Sequence, residues 1–306
     1  MNSMRKYRTM ADYLASIFSG KVQKIAVNSN LGCPNRDGTI GIGGCIYCNN
    51  ASFNPAYAHQ SKESITKQLE NGVRFFRKRN LPYGYLAYFQ SYTNTYASTE
   101  KLIELYEEAL AFPGVLGLVV ATRPDCLSAE LINYFERRFG NLAPADHPYL
   151  LVEIGVESTC NTTLELINRG HTYECAVSAV NTLYNIGVAV GAHIILGLPG
   201  EDRETMLDHA RKISELPVST LKLHQLQVIR NTPLETMYAS KSLELHLFTP
   251  EEYAQLVADF IRLIPEHIAF DRFVSETPPG MLIAPSWGIK PQVFTELVNR
   301  CLDTTI

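Results

Sequence analysis

The 306-residue sequence predicts an α/β fold, an open partial (β/α)6 barrel of TIM-like type with a small C-terminal extension. Three observations carry that reading. Strand and helix patterns alternate about six times along the chain. Several strands, such as that over 115–121, are continuous apolar runs of the kind buried on both faces, which implies a parallel sheet covered by helices. Polar or glycine-rich residues follow each strand, at the rim where ligands gather in such folds. Six units are fewer than the eight that close a full barrel, so the sheet is expected to stay open.

The elements follow in order. Residues 10–18 are amphipathic and read as a short helix that Gly20 ends. Residues 21–30 alternate apolar and polar side chains and read as the first strand. Helical patterns cover 64–79, 99–111, 128–140, 162–168, 175–186, 203–216 and 250–263, and strand patterns cover 83–90, 115–121, 149–156, 188–195, 220–227 and 269–274. The helix at 99 is announced by Ser98-Thr-Glu-Lys, with a capping hydroxyl and acidic residues in its first turn. The barrel core is expected over 1–230 and the extension, packed on it, over 231–306.

Composition narrows the function. Apolar residues make up 46% and charged residues 19%, enough for a large core and too apolar for a disordered chain. A net charge of −4 argues against a wholesale electrostatic nucleic-acid binder, though not against a local basic patch. No charged segment followed by an apolar run opens the chain, so no signal peptide is expected. No apolar run reaches the roughly 18 residues of a membrane span. Seven unevenly spaced cysteines fit a reducing, cytoplasmic setting better than a disulfide framework.

Three of those cysteines lie directly after the first strand, in Cys33-Pro-Asn-Arg-Asp-Gly-Thr-Ile-Gly-Ile-Gly-Gly-Cys45-Ile-Tyr-Cys48. The spacing is C-x11-C-x2-C, and the insert holds four glycines and a proline, so it reads as a loop that presents thiolates to one point. A closed zinc site needs a fourth ligand, for which His59 is available. A [4Fe-4S] cluster normally takes four cysteines; one held by three leaves an iron open to a ligand from outside the protein.

The remaining strand ends are Tyr88-Phe-Gln-Ser-Tyr-Thr-Asn-Thr95, Thr122-Arg-Pro-Asp-Cys126, Glu153-Ile-Gly-Val-Glu157 with Asn168-Arg-Gly-His171 beyond it, Gly197-Leu-Pro-Gly-Glu-Asp202, and Leu223-His-Gln-Leu-Gln-Val-Ile-Arg-Asn-Thr-Pro233. A purely structural domain does not need this density of polar groups on one rim.

Together these motifs resemble the radical S-adenosylmethionine (SAM) enzymes, and more narrowly the YhcC/YtqA-type family. That family is related to the Elp3 radical SAM domain and to oxygen-independent coproporphyrinogen oxidase. The resemblance rests on Cys-Pro-Asn-Arg-Asp-Gly-Thr at Cys33, Gly-Gly-Cys-x-x-Cys from Gly43, Tyr-Phe-Gln at Tyr88, Ala-Thr-Arg-Pro-Asp-Cys at Ala121, Ile-Asn-Arg-Gly-His at Ile167 and Gly-Leu-Pro-Gly-Glu at Gly197. The x11 insert departs from the x3 spacing of the wider superfamily and matches the narrower group.

The resemblance implies a [4Fe-4S] cluster on Cys33, Cys45 and Cys48, with the amino and carboxylate groups of SAM on the open iron. An electron from the cluster would cleave SAM to a 5′-deoxyadenosyl radical that abstracts hydrogen from the substrate. It further implies Tyr47 beside the adenine, Gln90, Tyr92 and Thr93 near the SAM amino group, and Glu157 and Arg169 at the ribose and the carboxylate. Gly197 and Gly200 would let backbone approach the adenine, and Val228 or Ile229 would pack on it. A flavodoxin or ferredoxin is the expected electron donor.

For the substrate, the resemblance to Elp3 implies tRNA, and conversion of carboxymethylaminomethyl to aminomethyl on C5 of the wobble uridine. The basic, aromatic segments Arg5-Lys-Tyr-Arg8 and Arg74-Phe-Phe-Arg-Lys-Arg79 are of the kind that can hold RNA, or can be solvated helix faces. A small molecule such as a porphyrin is the alternative substrate, and a non-catalytic iron–sulfur or zinc protein the alternative role. Cys126, His193 and His224 stand near strand ends with no assigned part, and Trp287 is placed to close the barrel mouth or cap the sheet edge.

Overall fold

The computed structural model describes residues 6–49, 63–76, 83–140, 147–278 and 280–304. Its strands are β1 (Val22–Val27), β2 (Gly84–Phe89), β3 (Val115–Thr122), β4 (Tyr149–Glu157), β5 (Ala189–Leu196), β6 (Thr220–Gln225), β7 (Val228–Ile229), β8 (Ala269–Arg272) and β9 (Leu282–Ala284). Seven of them form one sheet in the order β1-β2-β3-β4-β5-β6-β8, every neighbour parallel. The expected open α/β barrel is therefore present, with the 269–274 pattern supplying a seventh strand.

The helices are α1 (Met10–Ala15), α2 (Ile65–Phe76), α3 (Thr99–Leu110), α4 (Ala129–Phe139), α5 (Asn161–Leu166), α6 (Tyr173–Asn185), α7 (Arg203–Ser214), α8 (Pro233–Ser240), α9 (Pro250–Leu263) and α10 (Pro291–Asp303). Local chemistry sets their starts. The side chains of Ser98, Ser128, Thr172, Asp202 and Thr232 each accept a backbone N–H of the first turn, and Thr249 and Glu252 form a reciprocal capping box. The antiparallel β7–β9 pair, α8 and α10 lie beyond the elements expected from the sequence. β7 and β9 are too short for periodicity to register. α10 does carry a signal, Pro291 at its first turn followed by buried Phe294, Val298 and Leu302.

Strand alternation divides the core. Ile25, Ala87, Phe89, Leu118, Val120, Leu150 and Val152 face the helices, while Leu86, Tyr88, Val119, Ala121 and Leu151 face inward. α1 packs on the inner set, and the Tyr13 hydroxyl meets that of Tyr149 at the start of β4, so this end of the half-barrel is plugged. Trp287 donates to the Phe248 carbonyl and stacks on Phe294, inside the α9–α10 packing and away from the inner face.

Above the plug the inner face is charged. Glu153, 2% exposed, accepts from Tyr88 Oη (2.7 Å), Lys222 Nζ (2.8 Å) and His193 Nε2 (3.0 Å). Lys24 and Lys222 share Asp271, at 2.7 and 3.1 Å. Lys24 stands on one edge strand and Asp271 on the other, so the sheet curls until its edges are within side-chain reach. Residues 8 and 9 then cover the β8 edge through the Phe270 N–H to Arg8 carbonyl bond and a Thr9–Phe270 bridge.

Burial alone would raise the Glu153 carboxyl, but Lys222, His193 and Lys24 overcome it and hold it well below the usual carboxylate range. Asp271, likewise buried, is held down by Lys24 and Lys222. A depressed folded-state pKa contributes stability above the ordinary carboxylate range and loses it as pH falls through the folded value. Glu153→Gln should lower the unfolding free energy by about 3–5 kcal/mol in urea titration at neutral pH, because Lys222 is left buried with a poorer partner. The same variant should flatten the acid limb of the stability–pH curve, and adding Lys222→Met should recover part of the loss.

Candidate active site

The carboxyl ends of the strands surround one cavity of about 1130 Å³, counting its open mouth. Cys33, Cys45, Tyr47, Cys48, Gln90, Tyr92, Thr93, Glu157 and Arg169 all line it. Sequence reasoning therefore named residues that the fold brings together from four separate segments. Gly197 and Gly200 are not among the lining residues. Both have positive φ (90° and 83°) and serve the turn into α7, and a Cβ on Gly197 would come within 2.9 Å of Phe248. Ile229 lines the cavity; Val228 is fully buried behind it. Cys126 is not in the lining and sits against its neighbour Asp125. His59 lies outside the described residues.

The cysteine loop is folded rather than slack. The Arg36 N–H donates to the Cys33 carbonyl, the Ile40 N–H to Pro34, and the Gly44 N–H to Asn35. The loop is then tied to the turn after α5. Asn35 Nδ2 donates to the Asn168 carbonyl, Asn168 Nδ2 to the Gly44 carbonyl at 2.8 Å, and the Ile46 N–H to Ile167 at 3.1 Å. Asn35 and Arg36 thus turn back toward the thiols: Asn35 Nδ2 stands 3.6 Å from Cys45 Sγ, and Arg36 donates to the Cys48 carbonyl. Asp37 caps its own turn, at Thr39.

Arg169 is the central cation. It is 7% exposed, donates to the Gly155 carbonyl at 2.7 Å, and stands 3.6 Å from Cys45 Sγ and 3.4 Å from Glu157. Burial opposes its charge, and Tyr47, Cys45 and Glu157 outweigh that burial. A Cβ at 155 would meet Arg169 Nη2 at 2.5 Å and Glu157 Oε1 at 2.7 Å, so a larger residue there displaces these side-chain ends. Glu157 and Tyr92 are themselves held at φ of 66° and 65°, left-handed backbone that costs an ordinary residue about 1–2 kcal/mol. Burial and the neighbouring Cys45 push the Cys48 thiol up to about 11, with Arg36 pulling the other way.

Several lining residues were not assigned from sequence: Tyr88, Arg123, Glu153, Gln225, Gln227, Arg272 and Ser275. Arg123 is locked to Asp125 by two hydrogen bonds at 2.8 and 2.6 Å, within a motif whose location was legible and whose geometry was not. His193 and His224 line the cavity and are hydrogen-bonded, to Glu153 and Arg272 respectively.

The residues present fit a cluster with a charged organic ligand. Three free thiols share the cavity, while among the described residues no three His, Cys, Asp or Glu side chains gather closely enough for a single metal ion. Arg169 Nε and Arg123 Nη1 are buried donors without partners, a costly state unless an acceptor enters.

Comparison with known proteins bears on the same segments. The sequence model of the radical SAM superfamily matches residues 27–213, and that of the Radical_SAM C-terminal domain matches 218–302. The chain belongs to the radical SAM superfamily. Within it, the chain is 34% identical to YtqA of Bacillus subtilis over 99% of its own length and 91% of that protein. To YhcC of Escherichia coli it is 32% identical, over 88% and 84%. A more distant relative is a tRNA uridine(34) acetyltransferase of Methanocaldococcus jannaschii, 26% identical over 61% of this chain and 33% of that one. Among solved structures, Elp3 of Methanocaldococcus infernus superposes with a TM-score of 0.67 at 18% identity, over 91% of this chain and 62% of that one, which establishes the fold.

The superfamily consists of enzymes that run radical reactions with a [4Fe-4S] cluster and SAM, and these are the cofactors of this chain. No helix among the described residues is long and apolar enough to cross a membrane.

Gly155→Ala should push Arg169 out of its seat while leaving the fold intact by circular dichroism. In equilibrium binding to the cluster-loaded protein, SAM affinity should fall about tenfold or more, the worth of one charge-assisted hydrogen bond.

Proposed function

We propose that Cys33, Cys45 and Cys48 hold the cluster, that SAM binds beside it, and that the enzyme acts on the C5 side chain of the tRNA wobble uridine, shortening carboxymethylaminomethyl to aminomethyl. The observation that carries this reading is the single cavity in which three free thiols meet Arg169 and Glu157 above a polar floor. When bound, the two cofactors supply reductive SAM cleavage and, through it, hydrogen abstraction.

The chain's own residues orient and enclose. The Arg169 fork suits a carboxylate, with Glu157 steadying it and taking the ribose hydroxyls. Gln90, Tyr92 and Thr93 offer polar groups to the SAM amine, and Tyr47 and Ile229 offer flanking surface for the adenine. The neutral Asn35 amide directs an N–H at Cys45, and the Arg36 cation, held on the Cys48 carbonyl, lies beside the Cys48 thiol; both favour thiolate charge. A flavodoxin or ferredoxin would deliver the electron.

Similarity to the tRNA uridine(34) acetyltransferases supports the RNA part of the reading. Of the two basic segments, Lys6 is paired with Asp303 and Arg8 with the His267 carbonyl, so those cations tie down the N-terminal segment. Arg74 and Phe75 are exposed, with Phe75 at 59%, where a nucleic acid could reach them. Arg5 and residues 77–79 lie outside the described residues. Four arginines in the cavity (36, 123, 169 and 272) are what a porphyrin carrying several carboxylates would also want. The first three are already engaged within the protein, by the Cys48 carbonyl, Asp125 and Glu157.

Cys45→Ala should abolish the brown absorbance of the reconstituted protein together with all SAM cleavage; retained cleavage would refute the ligand assignment. With wild-type holoenzyme, reductant, SAM and bulk tRNA, nucleoside mass analysis should show wobble carboxymethylaminomethyluridine converted to aminomethyluridine. Turnover of coproporphyrinogen with untouched tRNA would favour the small-molecule reading.

A further inference from the structure

The floor of the cavity, on the inner face below the cysteine loop, carries charges that do not balance. Its cations are Lys24, Lys222 and Arg272, and its anions Glu153 and Asp271. The two lysines consume both carboxylates: Lys24 binds Asp271 at 2.7 Å, and Lys222 binds Glu153 at 2.8 Å and Asp271 at 3.1 Å. Tyr88 fills a further position on each side, donating to Glu153 and accepting from Lys222 at 2.9 Å.

Arg272 is left over. Its guanidinium lines the cavity, and among the described residues it has no carboxylate partner. Nε and Nη2 both point at His224 Nε2, at 3.2 and 3.0 Å. An imidazole nitrogen that accepts these bonds must be unprotonated, so His224 is neutral with its proton on Nδ1. Burial, Arg272 and His193 all favour that neutral state, and burial and Lys222 do the same for His193. The floor thus holds one net positive charge, on a fork that lines the cavity and whose Nε and Nη2 edge is held by His224. Such a fork matches a carboxylate in two parallel hydrogen bonds. Arg169 meets a different set of groups, Cys45, Gly155 and Glu157, so the cavity offers two guanidinium forks on different partners.

We propose that Arg272, oriented by His224, binds a carboxylate carried by the substrate at the cavity floor. The proposal rests on the radical SAM reading of the cavity and, for the source of the carboxylate, on the tRNA reading: the carboxymethylaminomethyl group ends in one. This position would let the enzyme distinguish the acidic wobble side chain from its neutral counterparts.

The test uses cluster-loaded protein with SAM and has two arms. The first needs no tRNA. Arginines are modified with phenylglyoxal and read one by one by peptide mass mapping, with N-methylglycine or its neutral amide as competitor. The acid should protect Arg272 and the amide should not; equal protection by both overturns the proposal. The second arm compares wild type, Arg272→Gln and Arg272→Lys on tRNA bearing the carboxymethylaminomethyl side chain or its amide. For the acid, kcat/KM should fall about 10- to 100-fold in Arg272→Gln and recover in part in Arg272→Lys, while for the amide the three proteins should converge. Both variants should keep cluster absorbance and SAM affinity. A loss of SAM affinity would reassign Arg272 to the cofactor and overturn the proposal. Acid-selective protection without tRNA turnover by wild type would overturn the tRNA reading alone, and protection by coproporphyrin would then name a small acid as the source.

Discussion

The buried carboxylate of Glu153 is the constraint on which the half-barrel depends. A single ionised side chain, almost fully enclosed, must find its donors inside the protein or cost several kcal/mol. It finds them on β2, β5 and β6, with Lys24 of β1 at 3.9 Å. Asp271 extends the same network to β8. Strands that are remote in sequence are thereby drawn around one point, and two edges that share no backbone pairing are bridged by a lysine and an aspartate. Hydrophobic packing against the helices supplies most of the stability. The curvature that gathers the strand ends around one cavity is held by this charge network.

The cysteine loop depends on that curvature in turn. Its long insert folds on its own backbone bonds, but its position comes from Asn35, Asn168 and the Ile46–Ile167 pairing, which fasten it to the turn bearing Arg169. The thiols and the arginine are placed by one shared set of contacts. Glu157 and Tyr92, in left-handed backbone where glycine would be easier, show local strain retained at the same cavity. The insert, whose purpose was open from sequence, faces its own thiols through Asn35 and Arg36.

Much of this was legible beforehand for identifiable reasons. Buried parallel strands write themselves as apolar runs, capping hydroxyls mark helix starts, and three cysteines after a strand announce a site. The parts that were missed depend on contacts between distant segments. Asp271 and Arg272 are adjacent, and strict alternation would send them to opposite faces; the register shift between β6 and β8 lets both work inside the barrel. Gly197 and Gly200 have the conformations their motif implies, yet Phe248 lies where a ligand was expected. Trp287 has a partner in Phe248 and α10 that no local pattern announces.

The amino-acid sequence by itself determined the class of the fold and the rim of the sheet on which the cysteine-bearing and polar loops gather. These follow from period, capping and spacing, which act over a few residues; the assignment of Cys33, Cys45 and Cys48 to a cluster, and of their polar neighbours to SAM, rests on resemblance to the radical SAM enzymes. Only the tertiary structure decided which charges cancel. Whether an arginine is spent or free depends on the carboxylates within a few ångströms of it, and those come from other strands. Arg123 and Arg169 each have a carboxylate partner and Arg272 has a neutral imidazole instead, although as letters in the chain the three are equivalent.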